Sequence, residues 1–216
     1  MKITLAVMFL TLMLVWRGFL GIHAKHGDMY NSLDWGWGAV NYGLNNYYDL
    51  PQTYWAHSRP NQPPGSIYLH LASVELNQII DRVIIWSNQH LAMFPSQLVW
   101  WWQDHGELLT IKLPSIVADF AIFAAILTGG RIAKRPKISW VIACAYLINP
   151  ALWYNSAWWG HTDAVVTALA IWSLVTLIQK KTRLSLLLLG LSFVIKASWV
   201  SIDVFSTVVG IIFLVV

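Results

Sequence analysis

Apolar residues in this chain run in long blocks rather than in the strict alternation of a half-buried strand. The first block, ITLAVMFLTLMLVWRGFLGI at 3–22, is 20 residues long and its only formal charge is Arg17. Further blocks without a basic interruption occupy 113–128, 138–149, 164–178, 184–195 and 204–216. About 20 apolar residues cross ~30 Å of hydrocarbon as a helix, so the shorter blocks need their flanks. The pattern predicts an all-α polytopic membrane helix bundle, a single transmembrane module over 1–216. Its spans are expected at about 3–22, 112–129, 138–150, 163–179, 184–199 and 204–216, with an outer loop at 23–111. Lys2 precedes the first block as in a signal peptide, but the block is long for one and no clean small-x-small site follows, so it reads as a retained span. The last block ends at GIIFLVV with no closing charge, the pattern expected of a truncated protein.

Basic residues orient these spans. Arg131, Lys134, Arg135 and Lys137 fill one short connector, and Lys180, Lys181 and Arg183 fill another. Neither contains an acid, and the positive-inside rule assigns both to the cytoplasm. Two spans separate them, so both fall on one side, and 23–111 then falls outside. A bacterial or archaeal plasma membrane is expected in preference to the endoplasmic reticulum.

Within the outer loop, two segments have helical periodicity without the composition of a span. Residues 65–86 carry His70, Glu75, Asn77, Gln78, Asp81 and Arg82, and a charge at mid-bilayer costs ~2.5–3.5 kcal/mol. Leu69, Ala72, Leu76, Ile79 and Val83 form one stripe, as expected of a helix lying on a membrane surface. Earlier, Asp28 can cap a helix whose stripe is Met29, Leu33, Trp37, Val40 and Leu44. Between them NNYYDLPQTYWAHSRPNQPPG, rich in Pro, Asn and aromatic residues, reads as an ordered loop. The 14 Trp and 8 Tyr concentrate in this region and near predicted span ends, where interfacial anchors belong.

Composition excludes a water-covered globule. Charged residues are 11% against ~25% in soluble domains, and hydrophobic residues are 57%. The lone Cys144 makes no intramolecular disulfide. A net charge of +4 is spread over separate connectors, which gives no basic patch for nucleic acid.

Titratable residues are concentrated instead in the outer loop. Six of the seven His and seven of the ten acids lie in 22–111, and the seventh His, His161, falls in the next outer loop. There is no GxGxxG or GxxxxGK[ST] loop, no paired Cys, no HExxH and no serine elbow. His-Gly-Asp at 26–28 and Asp-His-Gly at 104–106 are weak metal signals, so no cofactor is assigned and a divalent cation lacks a clear motif. An activity here would use carboxylates and cations on a substrate delivered from the membrane.

The order HGDMYNSLDW, RPNQPPGSIYLH, IKLPSIVADF, INPALWYNSAWWGHTDAV and FVIKASW resembles the polyprenol-dependent glycosyltransferases of the C superfamily. The nearest patterns are the dolichol-pathway glucosyltransferases and their mannosyltransferase-like relatives. The match touches positions 26 to 199, and the order of loose motifs carries it. The Pro-Pro motif departs from the pattern in having Gln62 where Tyr is usual, and no Asp-x-Asp pair is present. The resemblance implies inverting transfer of a hexose from a polyprenyl-phosphate donor to a glycan, lipid or protein acceptor on the non-cytoplasmic face. It puts Asp28 in the place of the general base, with Asp34 in reserve.

Arg59, Lys112, His161, Asp163 and Lys196 are the candidate substrate-binding residues, each with a plainer reading beside it. Arg59 contacts sugar or phosphate, or is an interfacial loop charge. Lys112 opens the second span and faces a lipid phosphate, or snorkels. Asp119 and Lys196 are charges within spans, each ~10 Å below the outer surface at 1.5 Å per residue, where an ion pair between them is feasible. His161 and Asp163 line a groove, or Asp163 is an N-terminal helix charge. A transporter fragment and a non-catalytic lipid-binding subunit are the competing functions.

Overall fold

The computed structural model describes residues 3–197, and every regular element in them is helical. In chain order they are α1 (Ile3–His23), α2 (Gly27–Tyr42), α3 (Pro64–His90), α4 (Ser96–Ile132), α5 (Pro136–Ile148), α6 (Pro150–Trp153), α7 (Asp163–Ile178) and α8 (Thr182–Ile195). Two 3₁₀ turns, Tyr47–Asp49 and Gln52–Tyr54, lie between α2 and α3, and a π-helical segment, Tyr154–Trp159, follows α6. The predicted span at 204–216 and the end of that at 184–199 lie outside the described residues.

Among the described residues, α1 and α4 are long and apolar enough to cross a membrane. Helices α5, α7 and α8 are apolar but only 13, 16 and 14 residues long, short of the ~20 that a span needs. Helix α4 extends well before the expected start of the second span. It begins at Ser96, so Lys112 lies inside a 37-residue helix. No proline interrupts 96–111, and Trp102, Leu108 and Ile111 give this polar-flanked stretch a buried face. Helix continuity therefore runs past the hydropathy boundary. Pro114 sits within α4 and lacks the N–H that an interior helical residue gives its i−4 carbonyl.

The described residues form two compact units. One comprises the positions up to Asn61, Ile67–Pro114 and Ala157–Gly160; the other comprises Gln62–Ser66, Ser115–Ser156 and the positions from His161 onward. In the first, Met29 and Leu33 of α2 pack with Val74 of α3 and with Leu108 and Ile111 of α4, and Trp37 and Val40 close over them. The apolar stripe expected to face the membrane thus faces protein, and Leu44 falls beyond the helix end. A second face of α2 gives Trp35 and Ala39 to a cluster with Tyr47, Trp55 and Ile67. Trp55 fits because residue 38 is glycine: a Cβ there would lie 2.3 Å from the indole. Buried positions on α3 include Ser66, Ile67, His70, Ser73 and Val74, whereas Ala72, Ile79 and Val83 of the predicted stripe are exposed.

In the second unit, Ala118 and Ile122 of α4 meet Ala164 and Ala168 of α7. The Trp172 indole donates to the Ala121 carbonyl at 2.9 Å. Helices α7 and α8 form a hairpin in which Ser173 donates to the Ser185 carbonyl at 2.9 Å and Leu177 packs on Leu189. The basic connectors are tight turns, with Lys134 and Lys180 at φ 56° and 61°.

Candidate functional site

In the first unit the residues after α1 lead directly into α2. The cap of α2 is His26, whose Nδ1 accepts from the Asp28 backbone N–H at 3.3 Å. Asp28 is therefore not the cap, as its residue type suggested, but lies in the first turn. Its side chain is free for another partner: Trp159 Nε1 donates to Asp28 Oδ2 at 2.9 Å, and the His26 ring lies 4.5 Å from the Trp159 ring. The Asp28 side chain is 55% exposed, and among the described residues its Oδ1 has no hydrogen-bond partner. The result is a carboxylate anchored through one oxygen and open at the other, a geometry suited to accepting a proton.

Asp34 has a different surrounding. Its Oδ2 accepts from the His57 backbone N–H at 3.1 Å, and its side chain is only 16% exposed. Beside it, Asn31 Oδ1 accepts from Ser58 Oγ at 2.8 Å and the Trp35 indole donates to the Ser58 carbonyl at 2.7 Å. These bonds lay the loop 57–59 along α2, which makes Asp34 a loop anchor. Arg59, next in that loop, gives Nη2 to the Tyr48 carbonyl at 2.7 Å and remains exposed. Tyr47 fixes the other end, donating from its hydroxyl to the Trp35 carbonyl at 2.5 Å. Burial, then the neighbouring Tyr48 and Asp34, push the Tyr47 phenol well above the ordinary tyrosine range.

Lys112 departs most from expectation. Its side chain is fully buried, and Nζ donates to the carbonyls of Gly21, at 3.1 Å, and Ala24, at 2.5 Å. The ammonium thus satisfies carbonyls left over at the end of α1, where a cation is also favoured by the helix dipole. The surface position expected for it, facing a lipid phosphate or snorkelling, is corrected to an interior one. Its aliphatic stem runs beneath Gly160, whose φ is 79° and where a Cβ would lie 2.8 Å from Lys112 Cγ. Lys112 therefore holds Ala24, four residues before Asp28, and supports the residue beside Trp159. Arg17 of α1 is fully buried as well.

In the second unit the expected pair of Asp119 with Lys196 gives way to another. Lys196 Nζ stands 2.7 Å from Asp163 Oδ1, and His161 Nδ1 stands 2.8 Å from Asp163 Oδ2. Asp119, 1% exposed, accepts from Ser156 Oγ at 2.6 Å and from the Tyr146 hydroxyl at 3.3 Å. The π-helical segment brings Ser156 to it, and such segments recur at functional sites. Asp119, Tyr146, Leu152, Asn155, Asp163 and Thr167 line a cavity of about 250 Å³.

The candidate residues therefore divide between the units: Asp28, Asp34, Arg59 and Lys112 in one, and His161, Asp163 and Lys196 in the other. Sequence reading missed Trp159, Tyr146, Asn155 and Ser156. The Trp-Trp-Gly of 158–160 was the only signal for Trp159, and a π turn has no composition that announces it. Among the described residues no three His, Cys, Asp or Glu side chains gather as a metal-holding group. No family model, curated protein or solved structure matches the chain.

Proposed function

We propose that this chain is an integral membrane glycosyltransferase module of the C-superfamily type, transferring a hexose from a polyprenyl-phosphate donor to an acceptor hydroxyl on the non-cytoplasmic face. The carrying observation is the Asp28 carboxylate. It follows the first apolar helix directly, is held by an indole from the Trp-rich segment, and presents a free oxygen. In the reaction Asp28 takes the acceptor proton as the acceptor oxygen forms its bond to the anomeric carbon. The bond from that carbon to the phosphate oxygen breaks, and its electron pair leaves on the polyprenyl phosphate. One direct displacement inverts the carbon. The leaving phosphate needs no proton but gains from a cation, and Arg59, one of the exposed cations of the first unit, is proposed for that role.

A membrane setting is supported by surface and interior alike. Ile3, Leu5, Met8, Leu12 and Val15 of α1 are exposed, and so are Trp86, Met93, Trp100 and Trp101 around the turn between α3 and α4. Trp at the boundary between lipid and water has that placement. Ala118, Ala164 and Ala168 meet between α4 and α7, and small residues at helix contacts are typical of membrane packing. Transfer of radiolabelled mannose or glucose from its polyprenyl phosphate, in membranes containing the protein, is the test. Activity of Asp28→Asn equal to wild type would remove the proposal.

A further inference from the structure

The cavity of the second unit has walls whose chemistry identifies a ligand. Among the described residues Asp163 has one side-chain partner on each oxygen, Lys196 at 2.7 Å and His161 at 2.8 Å. A carboxylate oxygen has two acceptor sites, so each can take one more donor. Asp119 is held rigid by the hydroxyls of Ser156 and Tyr146. Asn155 and Thr167 face the same space, and among the described residues neither the Asn155 amide nor the Thr167 hydroxyl has a side-chain hydrogen bond. Ile122, Leu152 and Ala164 supply apolar wall.

Charge separates the candidate occupants. A metal cation entering this space would meet the Lys196 ammonium, already 2.7 Å from one of the two carboxylates. An anion would meet two carboxylates. A neutral molecule with several hydroxyls suits both: its O–H groups donate to the carboxylates, its oxygens accept from the Asn155 amide and the Thr167 hydroxyl, and its C–H face lies on the apolar wall. Few, placed polar groups in a mostly apolar concavity are the usual form of a small-molecule site. About 250 Å³ suits one ring rather than a chain.

We infer that this cavity binds a single neutral pyranose ring. Its assignment as the sugar end of a substrate rests on the proposed function, while the binding itself does not. The experiment is saturation-transfer NMR on the full chain in detergent micelles. The probes are methyl α-D-mannopyranoside and methyl β-D-glucopyranoside, with Mn²⁺ alone as the competing occupant. Wild type is expected to bind at least one glycoside saturably. Asn155→Ala and Thr167→Val, which leave the Asp163 and Asp119 contacts in place, are each expected to weaken it by about tenfold, near the worth of one hydrogen bond. Thr167→Val is close to isosteric and keeps a folded comparison available, with helix content checked by circular dichroism. Absence of saturable binding by either glycoside, unchanged binding in both variants, or Mn²⁺ binding that the variants abolish would overturn the inference. Glycoside binding without any sugar transfer would sink the enzymatic proposal and leave the cavity assigned.

Discussion

Trp159 and Asp28 lie 131 positions apart in the chain and meet through a 2.9 Å hydrogen bond from indole to carboxylate. The bond orients a carboxylate at an exposed helix start, and leaves its other oxygen open. If Asp28 is the base, Asp28→Asn lowers the transfer rate by roughly 10²–10⁴-fold, the contribution of a positioned base. Trp159→Phe keeps the ring against His26 and removes only the donor, so its loss is smaller, about tenfold. Initial rates of radiolabelled transfer measure both.

Lys112 and Gly160 are expected to act on stability first. Lys112→Met leaves the Gly21 and Ala24 carbonyls buried without their donor, and hydrogen bonds to a charged group contribute about 1.5–3 kcal/mol. Gly160→Ala meets both a left-handed backbone, which costs ~1–2 kcal/mol for a side-chain-bearing residue, and the Lys112 stem. Thermal unfolding in detergent should rank both below wild type. Lys112→Arg, too long for the space, should not restore the first.

The pair of Asp163 and Lys196 is partly exposed, so it contributes about 1 kcal/mol or less. Lys196→Met should lower the unfolding temperature slightly. The double reversal Asp163→Lys with Lys196→Asp should recover part of what either reversal loses. Reversing Asp119 with Lys196 should recover nothing, because those two are not partners.

Alkaline pH probes the loop that covers α2. Tyr47 holds its proton in the folded chain more tightly than in the unfolded one, because burial disfavours the phenolate. Its contribution is fully present below the unfolded value of about 10 and is lost as pH rises toward the folded one. Denaturant unfolding should therefore show a stability decline above about pH 10, smaller in Tyr47→Phe. That variant also loses the bond to the Trp35 carbonyl, worth about 1 kcal/mol.

Topology is testable in intact cells after Cys144 is replaced by Ala. Gln52→Cys, in the predicted outer loop and exposed, should react with a membrane-impermeant maleimide, and Lys134→Cys, in a basic turn, should not. The reverse pattern would invert the orientation on which the proposed external site depends.

Hydropathy and periodicity by themselves determined the helical class, the apolar helix at 3–22 and the positions of the basic turns. Those features follow from contiguous residues, since a span is a composition and a turn is a local break in it. The same local reading identified a helix after Asp28 and read its apolar stripe, because 3.6-residue spacing is written in the chain. Which medium that stripe faces was decided only in three dimensions, where Met29 and Leu33 found Val74, Leu108 and Ile111. Partner choice was settled there too. Lys196 reached Asp163 instead of Asp119, and Lys112 turned inward to the end of α1, because a buried charge takes whichever oxygens the packing brings within ~3 Å. Equal depth along two helices restricts height but not the angle at which a side chain leaves each axis, and that angle comes from how the helices pack.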